Sequence, residues 1–423
     1  MPLEYPIATR ALSNGLRVVV SEDHSIPVVT VNLWVDVGSR HEVPGRTGFA
    51  HLFEHLMFQG SRNVASGEHF AALMAHGGRL NATTWFDRTN YFETVPRGVV
   101  DLALWLEADR HGHLLDAVSQ ENLDNQRDVV KEEKRQRYDN VPYGHAMTHL
   151  YAAVFPSGHP YAHPTIGSME DLDAASLDDV HAFFRRYYGP NNTVLTLVGD
   201  LSAEEGFAAV ERYFGQLPAS AQPSATSSPP LAPLATAVHD RHVEDVPADR
   251  VMLGFRLPPD DTPDFFAAAL ALDAVAGLST SRLFTRTVRH ELAATHVSAH
   301  TIGLVDGVSL GFVVAEVADG HDPGAVEAAA CEELARFADD GPTEVELESS
   351  FAQTERAWLS ALASQEERAD HISHRALLQG DPGHVNTYLD RLAQVSGDDV
   401  RAAAARWLRP ESRAVVSYHK RAA

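Results

Sequence analysis

Residues 48–58 read Gly48-Phe49-Ala50-His51-Leu52-Phe53-Glu54-His55-Leu56-Met57-Phe58, and the rest of the chain is understood from this stretch. Leu52, Phe53, Leu56 and Phe58 can anchor a helix over roughly 48–58 in a core. His51 and His55 are four residues apart, so they lie one above the other on a single helix face. Two imidazoles so placed can hold one Zn²⁺. Glu54 falls on the same side, near the water such a metal activates, where a carboxylate can act as general base. The order is the inverse of His-Glu-x-x-His. With 23 His and 27 Glu in the chain, composition alone yields this pattern about 0.08 times. Bare i, i+4 histidine pairs are weaker, since about one arises by chance. His145/His149, His159/His163 and His296/His300 are such pairs, and each reads first as a surface or packing pair.

A catalytic zinc takes three protein ligands and leaves one position open. The third ligand is sought in the helix predicted over Glu121–Tyr138, where Glu132 and Glu133 compete. Glu133 shares a face with Gln126, Val129 and Val130, whereas Glu132 lies with Asn125 and Asp128. The face with both valines is expected to point inward, which selects Glu133 as ligand and leaves Glu132 solvated or just behind the ligands.

Around this core the chain mixes strands and helices without strict alternation, so an α+β fold is expected. Strands are predicted at Leu16–Val20, Val28–Val35, a pair within Thr83–Val95, Asn192–Val198, Arg250–Phe255, Val308–Ala318 and Arg413–Tyr418. Further helices are predicted from Ser66, as N-cap, to Met74, and at Leu102–Leu115, Ala203–Phe214, Phe265–Ala276, Pro323–Ala338 and Glu344–Gln365. A Pro/Ser/Ala-rich run, residues 217–240, is expected to link domains 1–216 and 241–423, which repeat one grammar.

The chain has 423 residues, 44% of them hydrophobic and 22% charged, an ordinary globular composition for two domains. Its formal net charge of -24 argues against nucleic acid and anionic membranes as partners. Cys331 is the lone cysteine, which excludes a disulfide framework and any multi-Cys metal site. No secretory leader and no membrane-spanning apolar run are read, so a cytoplasmic location is expected.

The motifs together resemble the M16 (pitrilysin) metallopeptidases and, by size, their M16B branch with mitochondrial processing peptidase. The resemblance rests on Asn14-Gly15-Leu16, Gly38-Ser39-Arg40, the 48–58 stretch, Gly77-Gly78, Asn81-Ala82, Arg127–Glu133, His159-Pro160-Tyr161 and Ile166-Gly167. It implies a clamshell of two similar domains, each a mostly antiparallel sheet flanked by helices. It also implies zinc on His51, His55 and Glu133, with Glu54 as the base. Asn81 and Ala82 would begin an edge strand to which an extended peptide adds; from the residues alone, Asn81 reads as a turn residue capping a strand. Many family members have Glu where this chain has Gln126, which is expected to stand just behind the ligands, as is Glu132. The second-half Gly-Leu-Ala-Tyr is replaced by Leu292-Ala293-Ala294-Thr295, and the substrate-holding Arg and Tyr are not evident. The resemblance thus implies the zinc-bearing chain of a heterodimer, its homologous partner lacking zinc ligands but supplying Arg and Tyr; a homodimer or an active monomer is the alternative. The activity implied is a zinc endopeptidase of short or unfolded peptides. A non-catalytic scaffold subunit and a purely structural zinc site are the competing readings.

Overall fold

The computed structural model describes residues 3–221 and 227–421. The chain forms two compact units that are not contiguous in sequence. The first gathers Met1–Lys134, Thr165–Thr226 and Trp358–Tyr388; the second gathers Arg135–Pro164, Ser227–Ala357 and Leu389–Ala423. Part of the expected linker, residues 222–226, lies outside the described residues. Within the rest of it, 227–237 carry neither helix nor strand, and a strand starts at Val238.

Each unit is built on one sheet. The first contains β1 (Ala8–Ala11), β2 (Arg17–Glu22), β3 (Val28–Val35), β4 (Arg79–Thr84), β5 (Thr89–Pro96) and β6 (Thr193–Gly199), in the order β1-β2-β6-β3-β5-β4. The second contains β7 (Val238–Glu244), β8 (Arg250–Leu257), β9 (Ala294–Ile302), β10 (Ser309–Val317) and β11 (Ala414–Lys420), in the order β7-β11-β8-β10-β9. Set β1 aside and the two orders coincide: first strand, last, second, fourth, third. The directions coincide as well, since β2–β6 and β7–β11 are parallel and the remaining pairs antiparallel. The fold is therefore α+β, with one mostly antiparallel plan used twice.

In the first unit β3 is covered on both faces, which is why it reads as an almost unbroken apolar run. Val29, Val31 and Leu33 enter a core with Leu104, Phe207 and Val210, from the helices Val100–His113 and Ala203–Phe214. The other face carries Asn32 and Trp34, and the helix Gln365–His374 lies over it. There Asp370 Oδ1 accepts hydrogen bonds from Trp34 Nε1 (3.0 Å), Asn90 Nδ2 (3.1 Å) and Asn32 Nδ2 (3.4 Å). The same helix is tied to the chain after β2 by an ion pair between Arg368 and Asp23.

Several expectations are corrected. The helix expected from Ser66 is Glu68–Ala75, capped by Gly67 at φ 79°, a left-handed conformation that suits glycine. The helix expected to reach Tyr138 ends at Lys134 and continues as a π-helical turn, Arg135–Asp139; Pro263–Leu272 likewise passes into Asp273–Gly277. One helical run, Pro263–His290, is after all long and apolar enough to cross a bilayer by composition. As in a core helix, 61% of its most apolar window is buried. His296 and His300 lie on β9, where four residues span about 13 Å, so helical pairing does not apply to them.

Candidate metal centre

The helix Phe49–Leu56 carries the motif, and its sequence fixes its placement. Leu52, Phe53 and Leu56 are fully buried, and the Phe53 ring packs on Tyr188 and Phe183 at 4.6 and 5.1 Å between centroids. Two carboxylates hold the start of the helix. Glu42 accepts the backbone N–H of Gly48 (2.9 Å) and of Ala50 (2.8 Å), while Asp171 accepts the N–H (2.9 Å) and hydroxyl (2.6 Å) of Thr47. Acceptors at this end satisfy N–H groups that lack intrahelical partners and complement the helix dipole. Burial pushes the Glu42 carboxyl up to about 8, against the pull of these N–H donors. Gly48, at φ 83°, has no room for a side chain, because an added Cβ would stand 2.5 Å from Ile166 O.

His51 and His55 face the same way, with ring centroids 4.8 Å apart. The helix Gln120–Lys134 brings Glu133 to both: Glu133 Oε2 is 3.7 Å from His51 Nε2 and 3.4 Å from His55 Nε2. That helix is pinned by Arg127, which donates to the carbonyls of Leu172 (2.9 Å) and Ala175 (2.7 Å). Two nitrogens and an oxygen held about 2.0–2.1 Å from one tetrahedral zinc would be separated by roughly 3.4 Å. The donor set and its spacings therefore fit that ion. Burial lowers the His55 pKa, but the hydrogen bond to Glu133 and the charges of Glu54 and Glu133 outweigh this and raise it.

Glu54 is buried beside this cluster and accepts the hydroxyl of Thr84, on β4. Burial raises its pKa; the Thr84 hydrogen bond and the charges of His55 and Arg88 oppose the rise. The Arg88 guanidinium is itself buried, donates to Thr83 O (2.9 Å) and lies 4.7 Å from the Trp34 ring centroid. β4 is the last strand of its sheet, paired with β5 through Asn81 opposite Phe92 and Ala82 opposite Tyr91. Asn81 is exposed and its Oδ1 accepts the N–H of Ala82 (2.9 Å); Ala82 points inward, as does Thr84 two residues on.

Of the two adjacent glutamates, Glu133 reaches the histidines and Glu132 is exposed. The inward face was only partly anticipated. Val130 and Gln126 are buried, but Val129 is 43% exposed. Gln126 hydrogen-bonds His55 and donates to Asn125 Oδ1 (2.9 Å). Sequence reasoning passed over Glu42, Thr84 and Arg88. Only Arg88 carried a signal, as an arginine inside a strand pair.

The model "Insulinase (Peptidase family M16)" matches residues 17–168 and "Peptidase M16 inactive domain" matches residues 174–353. The chain belongs to peptidase family M16. Among M16 relatives, it is 32% identical over 304 residues to the zinc protease PqqE of Helicobacter pylori, covering 70% of this chain and 66% of that protein. It is 26% identical to the probable mitochondrial-processing peptidase subunit beta of Schizosaccharomyces pombe, over 94% of this chain and 87% of that one. Its fold matches the crystal structure of a protease from Helicobacter pylori with a TM-score of 0.89 at 26% identity, over 98% of this chain and 99% of that one. The M16 members named here as proteases place this chain in a peptidase family, with zinc named in one of them.

Proposed function

We propose that the chain is a zinc endopeptidase of short or unfolded peptides, with His51, His55 and Glu133 as metal ligands. The observation that carries this reading is the convergence of Nε2 of both histidines on one oxygen of Glu133, with the Glu54 carboxylate alongside. Zinc bound there would lower the pKa of a water and polarise a scissile carbonyl. Glu54 takes the proton of the attacking water and returns it to the leaving amine. Its buried setting raises its affinity for that proton between the two transfers. Thr84 holds the carboxylate in place from β4, and Gln126 orients His55 from the side.

The open edge of β4 supports binding of an extended peptide. Asn81 and Ala82 would pair with the peptide backbone, and alternate side chains would select the sequence. The likeness to a processing-peptidase beta subunit supports an M16B assignment and a heterodimer with a homologous chain. The test is digestion of a mixed peptide pool by the purified chain, read by mass spectrometry, with Glu54→Gln as blank. Chelator-sensitive cleavage absent from the blank upholds an enzyme active alone. A zinc-loaded chain that cleaves nothing, alone or with its homologue added, defeats the peptidase reading.

A further inference from the structure

The second unit gathers another set of metal-ligating side chains, away from the motif helix in sequence and built on different elements. β7 is an edge strand of the second sheet, and from His239 onward its odd and even residues alternate in exposure. His239, Arg241 and Val243 are exposed, while Asp240, His242 and Glu244 are half-buried on the opposite face. His149 reaches that face from the helix Ala146–Val154. A nitrogen of His149, a nitrogen of His242 and a carboxylate oxygen of Asp240 all lie within 4.8 Å of one another.

Two details set this cluster apart from a chance meeting of surface groups. His242 Nε2 is buried and makes no hydrogen bond, although Asp240 Oδ2 is only 2.9 Å away. The two atoms are thus close but not aligned as donor and acceptor, which is how two ligands of a common ion stand. The imidazoles of His149 and His242 are stacked, 3.9 Å between centroids and 7° between planes, so one ring turns about its χ2 for both in-plane lone pairs to meet at one ion. Lastly, the Tyr418 hydroxyl is 3.0 Å from His149 Nδ1, the outer contact that orients a ligand histidine and directs its other nitrogen.

We propose that His149, Asp240 and His242 form a second divalent-metal site, joining the helix Ala146–Val154 to the edge strand β7. Two imidazoles and a carboxylate select borderline ions of the zinc class over magnesium or calcium. Water completes the shell on the solvent side. His145, one turn away, is engaged by Asp139 at 3.0 Å and is not needed. The contrast with a third gathering is instructive. His69, Glu93 and Glu107 are also close together, but Arg110 is ion-paired to Glu107 and supplies the positive charge that a metal would bring.

The test uses the full-length chain, stripped with chelator and dialysed against micromolar zinc, with bound metal read by elemental analysis. The intact chain is expected to hold a second equivalent beyond the one lost in the His51→Ala/His55→Ala variant. His149→Ala/His242→Ala is expected to lose that equivalent and keep the other. If that variant holds as much zinc as the intact chain, the proposal is overturned. A second measurement needs no variant: carbethoxylation of the intact chain, mapped by mass spectrometry. Zinc is expected to protect His149 and His242 from the reagent, and equal labelling with and without zinc would overturn the site.

Discussion

The hydroxyl of Thr84 donates to the buried carboxylate of Glu54, so a hydrogen bond ties the edge strand β4 to the motif helix. The candidate base is thereby positioned by the strand proposed to bind substrate. Glu54→Gln is expected to lower kcat by about 100- to 10,000-fold, the usual contribution of an acid–base group, and to leave bound zinc unchanged. Thr84→Val should lower kcat by roughly tenfold, as loss of a hydrogen bond to a charged group does. Steady-state kinetics with elemental analysis check both.

Glu133→Gln replaces the carboxylate oxygen that faces both Nε2 atoms. Zinc affinity at the motif should fall by more than the roughly 10- to 100-fold seen when an outer contact is lost. Glu132→Gln, changing an exposed neighbour, should leave affinity within about twofold of the original. Competition with a chelating dye measures both.

Asn81→Ala removes an exposed side chain at the open edge, together with its hydrogen bond from the Ala82 N–H, and leaves the inward Ala82 side chain in place. If peptides add to β4, KM should rise by a few-fold to about tenfold, the range of a single lost hydrogen bond, with kcat little changed. An equal fall in kcat and kcat/KM would contradict the edge-strand role.

Asp370→Ala leaves Asn32, Trp34 and Asn90 without their shared acceptor and removes a negative charge that acts on the buried Arg88. Breaking this part-buried hydrogen-bond network on one side is expected to cost about 1–3 kcal/mol. Urea unfolding gives the value.

Asp23 supplies the acid-sensitive part of the same arrangement. Burial raises its pKa, but hydrogen bonds from Ser25 and Arg368 prevail and lower it from 3.8 to about 2. A depressed carboxyl stabilises the fold above its unfolded pKa and loses that contribution as the pH falls through its folded one. The stabilisation is thus complete above about pH 4 and fades towards about pH 2. The Tm gap between the intact chain and Asp23→Asn should close over that window, as calorimetry at several pH values would show.

What could be read from the sequence follows the range of its signals. Val28–Val35 and Ala203–Phe214 fall where local patterning put them, because alternation, caps and apolar spacing act within a few residues. His51, Glu54 and His55 are legible for the same reason. Glu133 was selected by a face argument that was half correct, since Val130 turns inward and Val129 does not. The helix Gln365–His374 escaped notice because it is rich in Glu, Arg and Asp and reads as solvated. Its acidic and basic groups are spent on partners more than 300 residues away, Asp23 and Asn32, and no local pattern encodes that. The polar Asn32 inside an apolar strand was the one trace of it.

The residence of Trp358–Tyr388 in the first unit has a consequence for synthesis. A chain emerging from the ribosome makes the His51–His55 motif early, yet the outer face of β3 and β6 stays bare until this late segment follows. Ser373, for instance, closes on Thr196 across 177 positions, at 2.8 Å. Contacts of such long sequence separation form slowly and leave apolar surface such as Trp34 exposed in the meantime. The N-terminal motif therefore waits on the C-terminal part of the chain, and a fragment stopped before Trp358 is expected to need a chaperone to remain soluble.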